Sequence, residues 1–166
     1  MAGAGGHAGR IALVDAVTGR RLTYGGLREQ VQGFAAGLCG LGIGKGDVVA
    51  ILLPNLPEYP VVFLGTALAG AASTTLNPSY TTREIETQLV DCGTRVVVTA
   101  PELAEKASAA APSGVRLLVV GDAHGDATSL ADIPARGPPP PPSTSRRPSI
   151  SRRSPTRAAP PACPRA

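Results

Sequence analysis

Paired cysteines are the first absence. The chain of 166 residues has three, Cys39, Cys92 and Cys163, odd in number, widely spaced and without a C-x-x-C pair. Neither a disulfide framework nor a zinc site follows from them. Cys39 and Cys92 fall near the ends of predicted helices, where small buried thiols are expected. Histidine is as scarce, with only His7 and His124. Each stands in a predicted loop with no nucleophile or paired carboxylate fixed nearby in sequence, so neither is expected to serve as a base. A long apolar run is missing too: residues 61–72 are too few to span a bilayer, and Pro54, Pro57, Glu58 and Pro60 block extension upstream. The first ten residues are rich in Gly and Ala and carry no apolar signal-peptide core, which points to a flexible segment over 1–9 and a soluble, intracellular chain.

Acidic residues are absent from one region only. Residues 1–133 carry 9 Lys and Arg against 12 Asp and Glu, whereas residues 134–166 carry 7 Arg and no acid. The net charge of +4 and the pI of about 9.3 therefore average a mildly acidic body and a basic tail. Because the positive charge lies where folding capacity is low, it is weak support for a nucleic-acid partner, and none is expected. The tail also holds 11 of the 17 prolines, Pro138 to Pro142 among them, with hardly a large apolar side chain. Such a segment cannot bury enough surface to offset its ordering entropy, so a disordered Pro/Arg/Ser-rich tail is expected over 134–166.

The body, in contrast, is strongly patterned. Short strands over 11–16 and 21–24 flank Val17 to Arg20, a tight turn in which Gly19 supplies the difficult dihedral. From Leu27 onward Val31, Phe34, Ala35 and Leu38 recur on one helical face, with Thr23 placed as a cap and Gly40, Gly42 and Gly44 ending the helix. An almost continuous apolar run over 48–53 follows, as for a strand covered on both faces. The alternation then repeats. Asn55 and Pro57 open a helix through Ala69, then comes a small-residue strand over 71–75. Thr81 and Glu84 have capping-box spacing before Ile85, Leu89 and Cys92, and Gly93 closes that helix. A strand over 96–99, a second capping-box spacing at Thr99 and Glu102 with Pro101 in the first turn, a helix through Ala110 and a strand over 115–120 complete it. The expected class is α/β: a parallel sheet with flanking helices after a short N-terminal hairpin.

Few residues in this body invite a chemical role. Gly40, Gly42 and Gly44 have the look of a phosphate loop, but they follow a helix and precede a strand. A phosphate loop must follow a strand and open a helix, so that backbone N–H groups face the anion. Tyr80, Thr81 and Thr82 are a polar cluster after a strand, and capping of the next helix accounts for the threonines. No catalytic, cofactor-binding or metal-binding residue is predicted.

A resemblance adds what the pattern cannot. Arg21-Leu22-Thr23-Tyr24, the run Gly42 to Ala50, Leu53-Pro54-Asn55, Glu58, Gly70-Ala71, Leu76-Asn77-Pro78, Tyr80-Thr81, Glu84 and Ile85 closely resemble, in order, the start of the adenylate-forming superfamily. The wording is nearest to plant 4-coumarate:CoA ligases and peroxisomal acyl-CoA ligases. The resemblance covers roughly residues 10–120 and implies that residues 10–133 are part of an AMP-dependent synthetase N-terminal domain. It also implies a family reaction in which a carboxylate and ATP give an acyl-adenylate that CoA then captures, with ATP, Mg²⁺ and CoA as the family's cofactors. The family's phosphate loop, S-S/G-G-T-T-G-x-P-K-G, is expected soon after residue 130 and is not spelled there. None of these cofactors is therefore expected on this chain, and the isolated chain is expected to be inactive.

The tail has a second reading in the genetic code. Codons made from the third base of one tail codon and the first two of the next permit P-Y-S-G-G-T-T-G-L-P-K-G across Ser154 to Ala166, which is the family's loop. A TGA stop after Ala166 likewise arises out of frame from Val-Met. A displaced reading frame is thus the expected origin of the tail. The alternative is a non-catalytic interaction protein, since Pro138 to Pro142 followed by Arg146-Arg147 resembles a ligand for aromatic-lined polyproline grooves. Pro164-Arg165-Ala166 is not a peroxisomal tripeptide, so a cytoplasmic location is expected.

Overall fold

In the computed structural model, which describes residues 6–121 and the backbone of 128–129, the first described residues form a turn tied to the helix that follows. The Gly25 N–H donates to the Ala8 carbonyl at 2.9 Å, and Tyr24 N–H donates to Arg10 at 3.0 Å. Strands β1 (Ile11–Val14) and β2 (Arg21–Thr23) pair antiparallel. Their connection is held by Asp15, which accepts from Val17 N–H at 2.9 Å and from the Thr18 hydroxyl at 2.6 Å. Gly19 sits at φ 71°, the left-handed region that the turn demands.

Thr23 then caps α1 (Tyr24–Gly40), accepting from Gly26 N–H at 3.1 Å. The remaining elements alternate as the pattern requires: β3 (Val48–Leu52), α2 (Glu58–Leu68), β4 (Ala72–Thr75), α3 (Thr82–Asp91), β5 (Thr94–Thr99), a 3₁₀ turn (Pro101–Leu103), α4 (Ala104–Ala110), β6 (Arg116–Val119) and β7 (Thr128–Ser129). Strands β3 to β7 form one parallel sheet in the order β4-β3-β5-β6-β7, so the fold is α/β as read from the sequence. The brief β7 was not anticipated.

Alternate side chains of β3 and β5 go to opposite faces, and each face has its own apolar cluster. Val49, Ile51, Val96 and Val98 pack with Val31, Phe34 and Leu38 of α1 and Val61 and Val62 of α2. Ala50, Leu52 and Val97 pack with Ile85 and Leu89 of α3 and Ala107 and Ala110 of α4. Each fully buried Val, Leu or Ile contributes roughly 1.5–3 kcal/mol relative to exposure, so both faces are needed to hold the sheet.

Three local expectations need correction. Asn55 does not cap α2: Pro57 occupies the cap position, which has no side-chain hydrogen bond. Thr99 does not cap the helix after β5. It remains in the ladder opposite Leu52 and Val119, fully buried, with its hydroxyl turned to the Ala100 carbonyl at 3.4 Å. Ala100 takes the cap position of a 3₁₀ turn instead, because a residue still paired on both sides cannot swing its oxygen to the helix N–H groups. Cys92 is exposed rather than buried, while Cys39 is half-buried. Cys163, His124 and the whole of 134–166 lie outside the described residues.

Candidate functional site

A parallel sheet of this kind offers its ligand crevice at the carboxyl ends of the strands, where the winding direction reverses. From β3 the chain passes to β4 on one side and then crosses back to β5 on the other, so the reversal lies between β3 and β5. The segments that rise there are those after β3, β4 and β5. After β4, Asn77 accepts from Ser79 N–H through its side chain at 2.9 Å and from Tyr80 N–H through its carbonyl at 3.0 Å. Lys106 donates to the Pro78 carbonyl at 3.0 Å and ties this loop to α4. After β3, a recess of about 400 Å³ opens between the hairpin and α2, lined by Leu13, Val14, Leu56, Tyr59 and Pro60 among others.

The three helical starts at this edge each bear an acid in the first turn: Glu58, Glu84 and Glu102. Glu58 forms an ion pair with Arg20. Glu84 completes a capping box with Thr81: Thr81 N–H donates to Glu84 at 2.7 Å, and Thr81 Oγ1 accepts from Glu84 N–H at 3.3 Å. The Thr81 N–H, and then the Thr81 hydroxyl, which donates to the same carboxylate oxygen at 2.8 Å, hold the Glu84 carboxyl below the ordinary glutamate value. A carboxylate in the first turn already satisfies the positive end of a helix and repels a phosphate placed there. At these three helix starts the first-turn acids therefore disfavour a phosphate group. Among the described residues, no group of three or more His, Cys, Asp or Glu converges to hold a metal ion.

The other lowered carboxyls also serve the fold. Asp47 accepts from Gly44 N–H at 2.9 Å and from Arg95 at 2.9 Å, the first bond being the larger cause of its lowered pKa. Asp15 is lowered chiefly by the Thr18 hydroxyl in the hairpin turn. Gly40 is the last residue of α1, and Gly42, at φ 74°, and Gly44 lie between it and β3, so the three act as a helix stop. His7 lies in the N-terminal turn, where its carbonyl accepts from Arg10 N–H at 2.9 Å. Of the Tyr80, Thr81 and Thr82 cluster, Thr81 is the cap of α3. Sequence reasoning did not find an open groove of about 680 Å³ that runs along α3 past Tyr80, Arg83, Thr87, Gln88 and Asp91.

The sequence profile described as AMP-binding enzyme matches residues 2–158. The chain belongs to that family. It is similar to 4-coumarate–CoA ligase 3 of Oryza sativa subsp. japonica, with 41% identity over 125 residues, covering 75% of this chain and 23% of that protein. It is also similar to peroxisomal OPC-8:0-CoA ligase 1 of Arabidopsis thaliana, at 44% over 105 residues, 63% of this chain and 19% of that one. Among solved structures, a benzoate CoA ligase from Burkholderia xenovorans superposes with a TM-score of 0.72 at 26% identity, covering 81% of this chain and 27% of that one. The chain thus spans about a quarter of the length of the AMP-binding relatives it matches. Among the described residues, no helix is long and apolar enough to cross a membrane.

Proposed function

We propose that residues 10–133 are the opening section of the large domain of an AMP-forming acid–CoA ligase acting on a 4-coumarate-like or related carboxylate. The observation that supports this reading is the 41% identity to a 4-coumarate–CoA ligase, confined to 23% of its length. In this reading the section contributes scaffold: a twisted parallel sheet and four helices on which the ATP-gripping parts of a full-length ligase are built. Adenylation of a carboxylate needs preorganised donors around the triphosphate. The three helix starts at the carboxyl edge of the sheet, each bearing an acid, are poorly suited to supply them. The donors of the family's phosphate loop are encoded out of frame across Ser154 to Ala166.

Two measurements test this. Purified 166-residue chain incubated with ATP, Mg²⁺, CoA and 4-coumarate is expected to give no pyrophosphate exchange and no acyl-CoA, and AMP-forming turnover overturns the proposal. Sequencing the transcript across codons 120–166 checks the frame: codons that cannot spell the loop in the displaced frame remove that part. The tail supports a second reading, an interaction protein whose Pro138 to Pro142 segment enters an aromatic-lined groove in the cytoplasm. A pull-down that captures the same partner with and without residues 134–166 excludes it.

A further inference from the structure

Among the described residues the sheet ends at β4. Ala72 N–H donates to Asp47 and Leu76 N–H to Ile51, so the even-numbered residues of this strand face β3. By alternation the backbone groups of Ser73 and Thr75 point away from the sheet. An edge of this kind is a template for another strand. Helix α3 lies beside it: Gln88 donates to the Thr74 hydroxyl at 2.8 Å and to the outward Thr75 carbonyl at 3.1 Å. The groove on that side of α3 is lined by Arg83, Thr87 and Asp91, a stripe at helical spacing with a cation at one end and an anion at the other.

We propose that the β4 edge and the α3 groove form a two-fold interface with a second copy of this chain. The register follows from the outward groups. An antiparallel pair centred on Thr74 sets Ser73 of one copy against Thr75 of the other, twice, and these are the residues whose N–H and C=O groups face outward. A two-fold axis reverses the neighbouring helix as well. Reversal about Thr87 sets Arg83 of one copy against Asp91 of the other, again twice. Both centres coincide, because Gln88, next to Thr87, touches Thr74 in the middle of β4. One axis therefore satisfies the strand register and the charge stripe together. The strand residues Ala72 to Thr75 are small and uncharged, which removes the usual guard against edge pairing. Gln88 is the remaining guard, since its amide occupies the Thr75 carbonyl in the single copy.

The test is sedimentation of the full 166-residue chain over a concentration series, and it is independent of the ligase reading. A monomer–dimer equilibrium is expected. Arg83→Asp sets like charges opposite each other and raises the dissociation constant about tenfold or more, while Arg83→Asp with Asp91→Arg returns it to within about threefold of the parent. Ser73→Pro removes an outward N–H without touching the β3 ladder, and a folded variant, checked by circular dichroism, is expected to be monomeric. A chain that stays monomeric up to several hundred micromolar overturns the proposal. So does association of any order that Arg83→Asp leaves unchanged, or a double variant no better than the single one.

Discussion

Gly65 shows how one residue sets the distance between two helices. A Cβ added there lies 2.6 Å from Phe34 Cδ1, 3.1 Å from the Val31 carbonyl oxygen and 3.2 Å from Phe34 Cβ. Phe34 is 5% exposed and packed in the sheet-facing cluster, so its ring has no free volume to enter, and the Val31 carbonyl belongs to the α1 backbone. Alanine gains roughly 1 kcal/mol over glycine in helix propensity. Overpacking a tight core costs about 1–3 kcal/mol, and with backbone among the obstructing atoms the upper half of that range applies. Gly65→Ala is therefore expected to lower stability by about 1–2 kcal/mol net. Gly33 is the control: it too is helical, but exposed, with nothing within 4 Å of the added carbon. Gly33→Ala is expected to raise stability by about 0.5–1 kcal/mol. Urea midpoints of the two variants should move in opposite directions, and a gain for Gly65→Ala would mean that α1 and α2 do not meet at this distance.

Helix caps and strand edges bear differently on what could be read in advance. Thr81 and Glu84 were legible because a capping box is local: spacing and residue type decide it, and the exposed loop after β4 leaves the threonine free to turn. Thr99 and Glu102 have the same spacing and fail, because pairing of Thr99 with both β3 and β6 is a non-local fact. The α3 groove escaped notice for the same reason. Its polar stripe looks like an ordinary solvated helix face until β4 is known to be the edge of the sheet. β7 is only two residues long, too short for any alternation to show. The functional family was legible through an ordered set of short motifs, whereas the polar residues that cap and tie these elements have no catalytic pattern to read. Their carboxyls do give a pH signature. Asp15, Asp47 and Glu84 are all held below their ordinary values of 3.8, 3.8 and 4.5. A depressed folded pKa means stability that is present above the ordinary value and lost as pH falls through the folded one. The urea midpoint is therefore expected to hold steady from about pH 7 to about pH 5 and to fall below about pH 4.5. Glu84→Gln keeps an acceptor for the Thr81 N–H but not the charge. Its deficit against the parent should be greatest near neutrality and close as the acid range is entered; a deficit independent of pH would show that the charge of Glu84 does not matter to the cap.

At the scale of the whole molecule, the two apolar clusters share their central strands, and this decides how the chain comes apart. β3 supplies Val49 and Ile51 to the α1–α2 face and Ala50 and Leu52 to the α3–α4 face, and β5 divides Val96 and Val98 from Val97 in the same way. Removing either helical layer exposes strands on which the other layer depends, so neither layer has a stable folded state without its opposite. Native-state hydrogen exchange of the full chain is expected to find the slowest amides on β3 and β5, opening together at the free energy of global unfolding. The outward amides of Ser73 and Thr75, which face away from β3, the one strand paired with β4 among the described residues, should exchange much faster. Dilution matters here, because pairing of two β4 edges would protect those two amides in proportion to protein concentration while leaving β3 and β5 unchanged. A chain whose α3–α4 face opened well before β3 would be held by the α1–α2 cluster alone, and the alternating division of the central strands would then carry no cooperativity.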